Sequence, residues 1–189
     1  MKTWIPFLMI AVLMSMFVFS QKSDSLETET PMLGQLKDPK IVIRKAKRAL
    51  DVYDGSVLTK TFTIVLGFAP TGDKETEGDG KTPEGEFYVF TKNPQSRFHL
   101  SLGVSYPGKD DADRGFAEGL ISKKERDEII AALEAKRMPP QKTKLGGEIY
   151  IHGGGTESDW TWGCPALKKE DIEELFAAIP IGTKVTILP

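Results

Sequence analysis

The chain holds one cysteine and two histidines among 189 residues, and one cysteine–histidine pair is spaced for chemistry. Cys164 lies in Thr161-Trp162-Gly163-Cys164-Pro165-Ala166-Leu167, and His152 stands twelve positions upstream at the end of an apolar run. A cysteine nucleophile needs a neighbouring imidazole to draw off its proton, and something must hold that imidazole in one tautomer. An imidazolium partner would also hold the thiol pKa below its free value of ~8.5. Glycines beside both residues let backbone approach the pair and offer amide donors for an oxyanion. The competing reading is a buried Cys164 packed as a small hydrophobe and a His152 that merely ends a strand. Spacing alone favours neither.

Two other chemistries find little support. His99, His152, Cys164 and an Asp would supply donors for zinc, but the chain lacks a tight ligand pair such as two His four apart, so no metal is expected. Gly80-Lys81-Thr82 has the look of a phosphate loop, yet the glycine required five places before Gly80 is Glu75. The nucleotide-binding pattern therefore fails. His99 alternates with apolar neighbours and reads as structural or at most a cleft-wall residue.

The elements that must position the pair are mostly strands. Ile41 to Ile43 and Ala49 to Tyr53 read as strands, and Asp54-Gly55 suits a tight hairpin turn. Thr59, Thr61 and Thr63 then alternate against Leu58, Phe62 and Ile64, the half-buried antiparallel pattern. Gly67 to Pro83 is rich in Gly, Asp, Thr and Glu and reads as a loop, followed by strands over Glu86 to Phe90 and His99 to Val104. Ser122 and Glu125 form a capping box for the one clear helix of the middle region, with Ile129, Ile130 and Leu133 as its apolar stripe and Pro139-Pro140 as its stop. Glu148 to Ile151 predicts a buried strand that delivers His152. A second helix spans roughly Glu170 to Ala178, with Ile172, Leu175, Phe176 and Ile179 inward, and Lys184 to Leu188 closes the chain as a strand. The fold class is mostly β with a few helices.

Ile149-Tyr150-Ile151-His152-Gly153 followed by Thr161-Trp162-Gly163-Cys164 resembles the signature of the L,D-transpeptidase catalytic domain, the YkuD family. That signature is a strand ending in His-Gly, a variable loop, then Ser/Thr-x-Gly-Cys. Gly78 to Phe87, with Thr82-Pro83 inside it, is similar to the family's Thr-Pro turn into a strand, and Leu100 to Pro107 to the segment beside its cleft. The likeness runs from Lys40 to Leu188. It implies a β-sandwich or barrel acting on the peptide stem of peptidoglycan, at the bond between an L-centred residue and a D-residue. Cys164 would be the nucleophile and His152 the base and later acid, with the Gly153 carbonyl orienting the imidazole. The amides of Gly163 and Cys164 would form the oxyanion hole. No metal or organic cofactor is implied.

Transfer of the resulting thioester to an amine would give a cross-link or a protein attachment. Transfer to water would make the chain an L,D-carboxypeptidase or a hydrolase that releases wall-linked protein. A non-catalytic wall-binding module with an inert Cys164 is the reading from another class. Tyr106, Trp160 and Trp162 fit either core or cleft wall; Trp160 and Trp162, with Thr161 between them, flank a Gly-rich loop and are expected with Tyr106 to line the substrate cleft. Two departures stand out. Many members place a second His where this chain has Trp162, whose indole offers only an N–H donor. Many also carry Arg or Asn shortly after the Cys, where Pro165 and Ala166 stand here, as in a Gly-Cys-x-Ala branch.

Composition sets the compartment and the partners. Lys plus Arg number 25 and Asp plus Glu 27, and this near-balance argues against nucleic acid, which demands a basic excess. Residues 1–20 carry Lys2 and then an apolar run from Trp4 to Phe19, the layout of a secretory signal, so the protein is expected in the periplasm or cell envelope. Membrane contact would come only through an uncleaved signal. Residues 21–39 are polar, without helical or strand periodicity, and read as a linker; residues 40–189 form the catalytic domain.

Overall fold

The computed structural model describes Met1 and residues 32–189. The signal expected over residues 1–20, and the linker as far as residue 31, lie outside the described residues. The strands are β1 (Pro39–Arg44), β2 (Ala49–Asp54), β3 (Val57–Thr63), β4 (Gly85–Ser96), β5 (His99–Val104), β6 (Tyr150–His152) and β7 (Lys184–Leu188). The helices are α1 (Lys109–Ala117), α2 (Lys123–Glu134) and α3 (Lys169–Ala178). The strands form one seven-stranded sheet in the order β3-β2-β1-β7-β4-β5-β6. Every pair is antiparallel except β1 with β7, so the mostly β class with a few helices holds. Among the described residues no helix is long and apolar enough to cross a membrane.

Period-2 alternation builds the core. Ile41 and Ile43, Leu50 and Val52, Phe87 and Val89, Leu102 and Val104, Ile149 and Ile151, and Val185 and Ile187 all turn buried side chains to one side. Ile172 and Leu175 of α3 cover that face with Ile179 just beyond the helix. A smaller cluster of Ala112, Ile121, Ile129 and Leu145 anchors α1 and α2. Ser122 caps α2 through the expected box: its Oγ accepts from Glu125 N at 3.2 Å, and Glu125 Oε2 accepts from Ser122 N at 2.7 Å. At the other end of the described chain, Leu33 and Leu36 pack against the core, and Asp54 accepts hydrogen bonds from the backbone of Lys37 and Asp38.

Several local details differ from the sequence expectation. The first hairpin turns on Gly55 and Ser56, since Asp54 pairs with Val57, and Gly55 takes the left-handed φ of +62°. Asp54 is freed to bind the incoming chain. Leu58 is 49% exposed, because a register shift at Val52/Tyr53 carries the hairpin tip beyond the core. α1 lacks an apolar stripe: its sequence is strongly polar, and the residues it buries are Asp111, Ala112 and Gly115. β4 continues to Ser96, six residues past the expected end at Phe90, as the long arm of the β4–β5 hairpin.

The sheet curls until its two ends meet. Val65, just beyond β3, exchanges both backbone hydrogen bonds with Ala166 at 2.9 Å. On the other side of Ala166, His152 N donates to Pro165 O at 3.1 Å and Leu167 N to His152 O at 2.8 Å. The segment after Cys164 is therefore stitched between β6 and the continuation of β3.

The loop from Gly67 to Pro83 backs this junction. Lys45 is buried, and its Nζ donates to Gly72 O, Thr82 O and Glu84 Oε1 at 2.5, 2.9 and 2.7 Å, which leaves no proton of the ammonium unpaired. Gly67 sits where backbones press together: a Cβ there would stand 1.9 Å from the Gly80 carbonyl oxygen and 2.9 Å from Gly163 N. Gly67→Ala is expected to destabilise the domain by about 3 kcal/mol, the upper range for overpacking, because backbone rather than a flexible side chain must move. Thermal melting checks this against Gly34→Ala, whose Cβ would meet nothing within 4 Å.

Candidate active site

His152 ends β6, fixed by pairing with Ser101 of β5 on one side and by the Ala166 segment on the other. Its ring is buried, and Nδ1 lies 2.5 Å from Gly153 O. A carbonyl only accepts, so Nδ1 carries the proton and Nε2 keeps its lone pair in the neutral ring. Gly153 has no room for a side chain, since a Cβ would stand 2.7 Å from Phe98 O. Phe98 stacks on the imidazole at 4.4 Å and 19°, and Trp160 meets it edge-on at 5.7 Å. Burial pushes the His152 pKa down; the Gly153 carbonyl opposes that shift, and the charge of Arg97 adds to it.

Cys164 follows a turn that Thr161 and Gly163 shape. The buried Thr161 hydroxyl donates to Cys164 O at 2.6 Å and accepts from Gly163 N at 3.2 Å. Gly163 adopts φ +123°, and a Cβ there would stand 2.5 Å from Lys81 O, so the turn lies directly on the Thr-Pro loop. The Gly163 amide is thus engaged by Thr161 Oγ1, which corrects its expected place in the oxyanion hole. The Cys164 amide has no backbone or side-chain acceptor among the described residues.

The thiol makes its contacts on the strand opposite. Sγ accepts from Tyr150 N at 3.3 Å and donates to Glu148 O at 3.5 Å. Burial pushes the Cys164 pKa up to about 11; the Tyr150 amide and the Lys74 charge pull against this, and the Glu148 charge adds to it. Burial thus disfavours the charged form of both groups, against the lowered thiol pKa expected from sequence, and the hydrogen bonds of Sγ run to Tyr150 N and Glu148 O.

Both residues line one groove of about 1190 Å³, whose wall includes Phe98, Trp160, Thr161, Trp162 and Glu148. Trp162 is 71% exposed at the rim and meets Phe68 edge-on at 4.9 Å. Tyr106 is a correction. It is fully buried in the core, and its hydroxyl donates to Leu145 O at 2.8 Å. Burial also raises its pKa, so it serves as a structural tyrosine away from the groove. His99 likewise turns away, with Nε2 2.6 Å from Glu173 Oε1 of α3.

Sequence reasoning missed Glu148, Tyr150, Phe98 and Gln141. The first two carried a signal: residues 148, 150 and 152 share one face of the strand opposite Ile149 and Ile151. Gln141 carried none; its side chain accepts from Glu148 N at 2.6 Å and donates to Tyr106 O at 2.9 Å, pinning the segment that leads into β6.

With this geometry established, the family model of the L,D-transpeptidase catalytic domain (YkuD) matches residues 38–187, and the chain belongs to that family. Among solved structures, the helical cell shape determining protein Pgp2 of Campylobacter jejuni superposes with a TM-score of 0.56 at 24% identity, over 85% of this chain and 52% of that one. An L,D-transpeptidase from Mycobacterium smegmatis gives a TM-score of 0.48 at 11% identity, over 80% of this chain and 59% of that one. The chain thus spans about half the length of Pgp2. A comparison with curated proteins gives no match.

The thiol state sets a reactivity profile. With the pKa at about 11, alkylation of Cys164 by iodoacetamide in the free folded protein should rise ~10-fold per pH unit from pH 7 to pH 10. A plateau by pH 8 would show that the thiol titrates below that pH and that burial does not raise it.

Proposed function

We propose that this chain is a cysteine L,D-transpeptidase of the cell wall, which acylates itself on Cys164 with a peptidoglycan stem peptide. The observation that carries the reading is the tautomer: the Gly153 carbonyl fixes the proton on Nδ1, and Nε2 is left as a base in the groove that Cys164 lines. Sγ attacks the carbonyl carbon of the L-centred residue while its proton passes to Nε2. The resulting oxyanion is met by the Cys164 amide. Collapse breaks the C–N bond, and the proton on Nε2 goes to the leaving amine of the D-residue. The thioester then passes to an acceptor amine, whose surplus proton returns through His152, and Cys164 is regenerated as a thiol.

The groove's volume supports transfer, since it exceeds the several hundred Å³ that a single small ligand fills and leaves room for a second stem. Because burial disfavours both charged forms, proton transfer and attack proceed together; a thiolate formed beforehand would be costly in this desolvated site. Trp162, with no proton to exchange, serves as a wall of the cleft. The apolar leader that begins at Trp4 fits export to the compartment where peptidoglycan lies. Cross-linking there would alter cell shape, the property for which Pgp2 is named.

Muropeptide turnover tests this. Cys164→Ala and His152→Ala should each lose on the order of 10²-fold or more in rate, and the double variant little beyond that, because the two residues act as a unit. Cross-linked dimers in the mass spectrum indicate transfer, and shortened monomers indicate hydrolysis. Losses that multiply across the two sites, in variants shown to be folded, would break the pair apart.

A further inference from the structure

The groove contains a cation that the acylation chemistry above leaves without a role. Arg97 sits at the tip of the β4–β5 hairpin, is exposed and lines the groove. Among the described residues its guanidinium makes no ion pair and no side-chain hydrogen bond. It is held instead over the Phe98 ring, 4.9 Å from the centroid, and that same ring stacks on His152 at 4.4 Å. Phe98 thus fixes the guanidinium beside the group that protonates the leaving amine. A cation parked on an aromatic face in an open groove is free to bind an anion, and guanidinium is shaped to take a carboxylate through two parallel hydrogen bonds.

The other charges of the groove do not fill that place. Lys74 is buried and engaged by Asp79 and Thr76 O. Glu148 meets the thiol through its carbonyl, Glu77 packs against Gly146, and Lys142 lines the groove from the segment that leads into β6. The residues that follow the nucleophile, Pro165 and Ala166, are buried and apolar. Arg97 is the groove cation held against the ring that stacks on His152.

Resting on the proposed acylation of Cys164, we infer that Arg97 binds the α-carboxylate of the leaving D-residue. The reasoning follows the proton. His152 must reach the leaving nitrogen, so the leaving residue lies on the His152 side of the scissile bond. Its α-carboxylate is separated from that nitrogen by a single carbon, and the cation next to His152 is the one positioned to receive it. The preferred donor would then be a stem whose chain ends with the residue being released, and an internal bond or a blocked C-terminus would be a poor substrate. Arg97 is a specificity-determining residue on this reading.

The experiment compares two synthetic donors that differ only at the C-terminus of the leaving D-residue, a free carboxylate and a carboxamide, with the full chain and its variants. The parent should favour the carboxylate by ~10–100-fold in kcat/KM, the scale of one charge-assisted hydrogen-bonded contact. Arg97→Gln should remove that preference, chiefly through KM on the carboxylate donor and with a smaller change on the carboxamide, and Arg97→Lys should keep part of it. Equal losses on both donors would show that Arg97 only supports Phe98 and His152, and would overturn the assignment. So would a parent that treats both donors alike, or a preference abolished by Lys142→Gln instead. If the parent acylates on neither donor, the functional reading itself fails and this assignment falls with it.

Discussion

The placement of Cys164 depends on a single buried residue bonded on both edges. Ala166 pairs with Val65 through both of its backbone groups, while its neighbours Pro165 and Leu167 bond to the two backbone groups of His152. Eleven residues separate His152 from Cys164, and a free loop of that length would leave the thiol unplaced. These four bonds remove that freedom. Each contributes only ~1 kcal/mol net, but breaking one inside the closed sheet leaves a buried group unsatisfied at ~1–3 kcal/mol. Pro165 suits the position because only its carbonyl is called on, and a proline also holds the preceding Cys164 in extended backbone. Ala166 itself is fully buried at this junction.

The sheet supplies the second constraint, which is electrostatic. His152 and Cys164 lie where two ends of a curled sheet meet, so both lose solvent, and the two shifts run in opposite directions. Burial disfavours the charged form of each, raising the thiol and lowering the imidazole. A thiol held neutral in this way resists oxidation and alkylation, since thiolate is the reactive form. The same environment strengthens any donor aimed at a developing oxyanion.

How much of this the sequence disclosed depended on whether the cause was local. Pairs such as Ile41 with Ile43 and Ile149 with Ile151 announced their strands, and Ser122 with Glu125 announced the start of α2, because those signals rest on neighbours a few residues apart. The β1–β7 pairing joins Lys40 to Lys184 and is invisible to any local pattern. α1 escaped because its buried face is built from Asp111, Ala112 and Gly115, where Asp111 is held by a hydrogen bond from Gly108 N and by Arg114. At the site, the words around His152 and Cys164 were legible, whereas Phe98 and Arg97 reach it from a hairpin tip whose position is set by register shifts in β4–β5. Tyr106 misled because an aromatic near a cleft segment reads the same whether it faces in or out. The Gly163 amide misled because the Thr161 hydroxyl that engages it depends on the turn geometry.

One conflict in local structure lies at Glu148, and it bears directly on the thiol. Glu148 is a non-glycine residue at φ +55°, a conformation that costs ~1–2 kcal/mol for an L-residue. Gln141 offsets that cost by accepting from Glu148 N while its own amide donates to Tyr106 O and Pro139 O. The consequence is a carbonyl turned toward Sγ. Glu148 O accepts the thiol proton and so favours the neutral form, while Tyr150 N–H, on the same strand face, donates to the sulfur and favours the anion. The two contacts act oppositely on the proton but alike on position, holding the sulfur against β6. Activation in the proposed reaction is then a change of partner for one hydrogen, from Glu148 O to His152 Nε2. That change leaves the Tyr150 amide in place to stabilise sulfur as its negative charge develops.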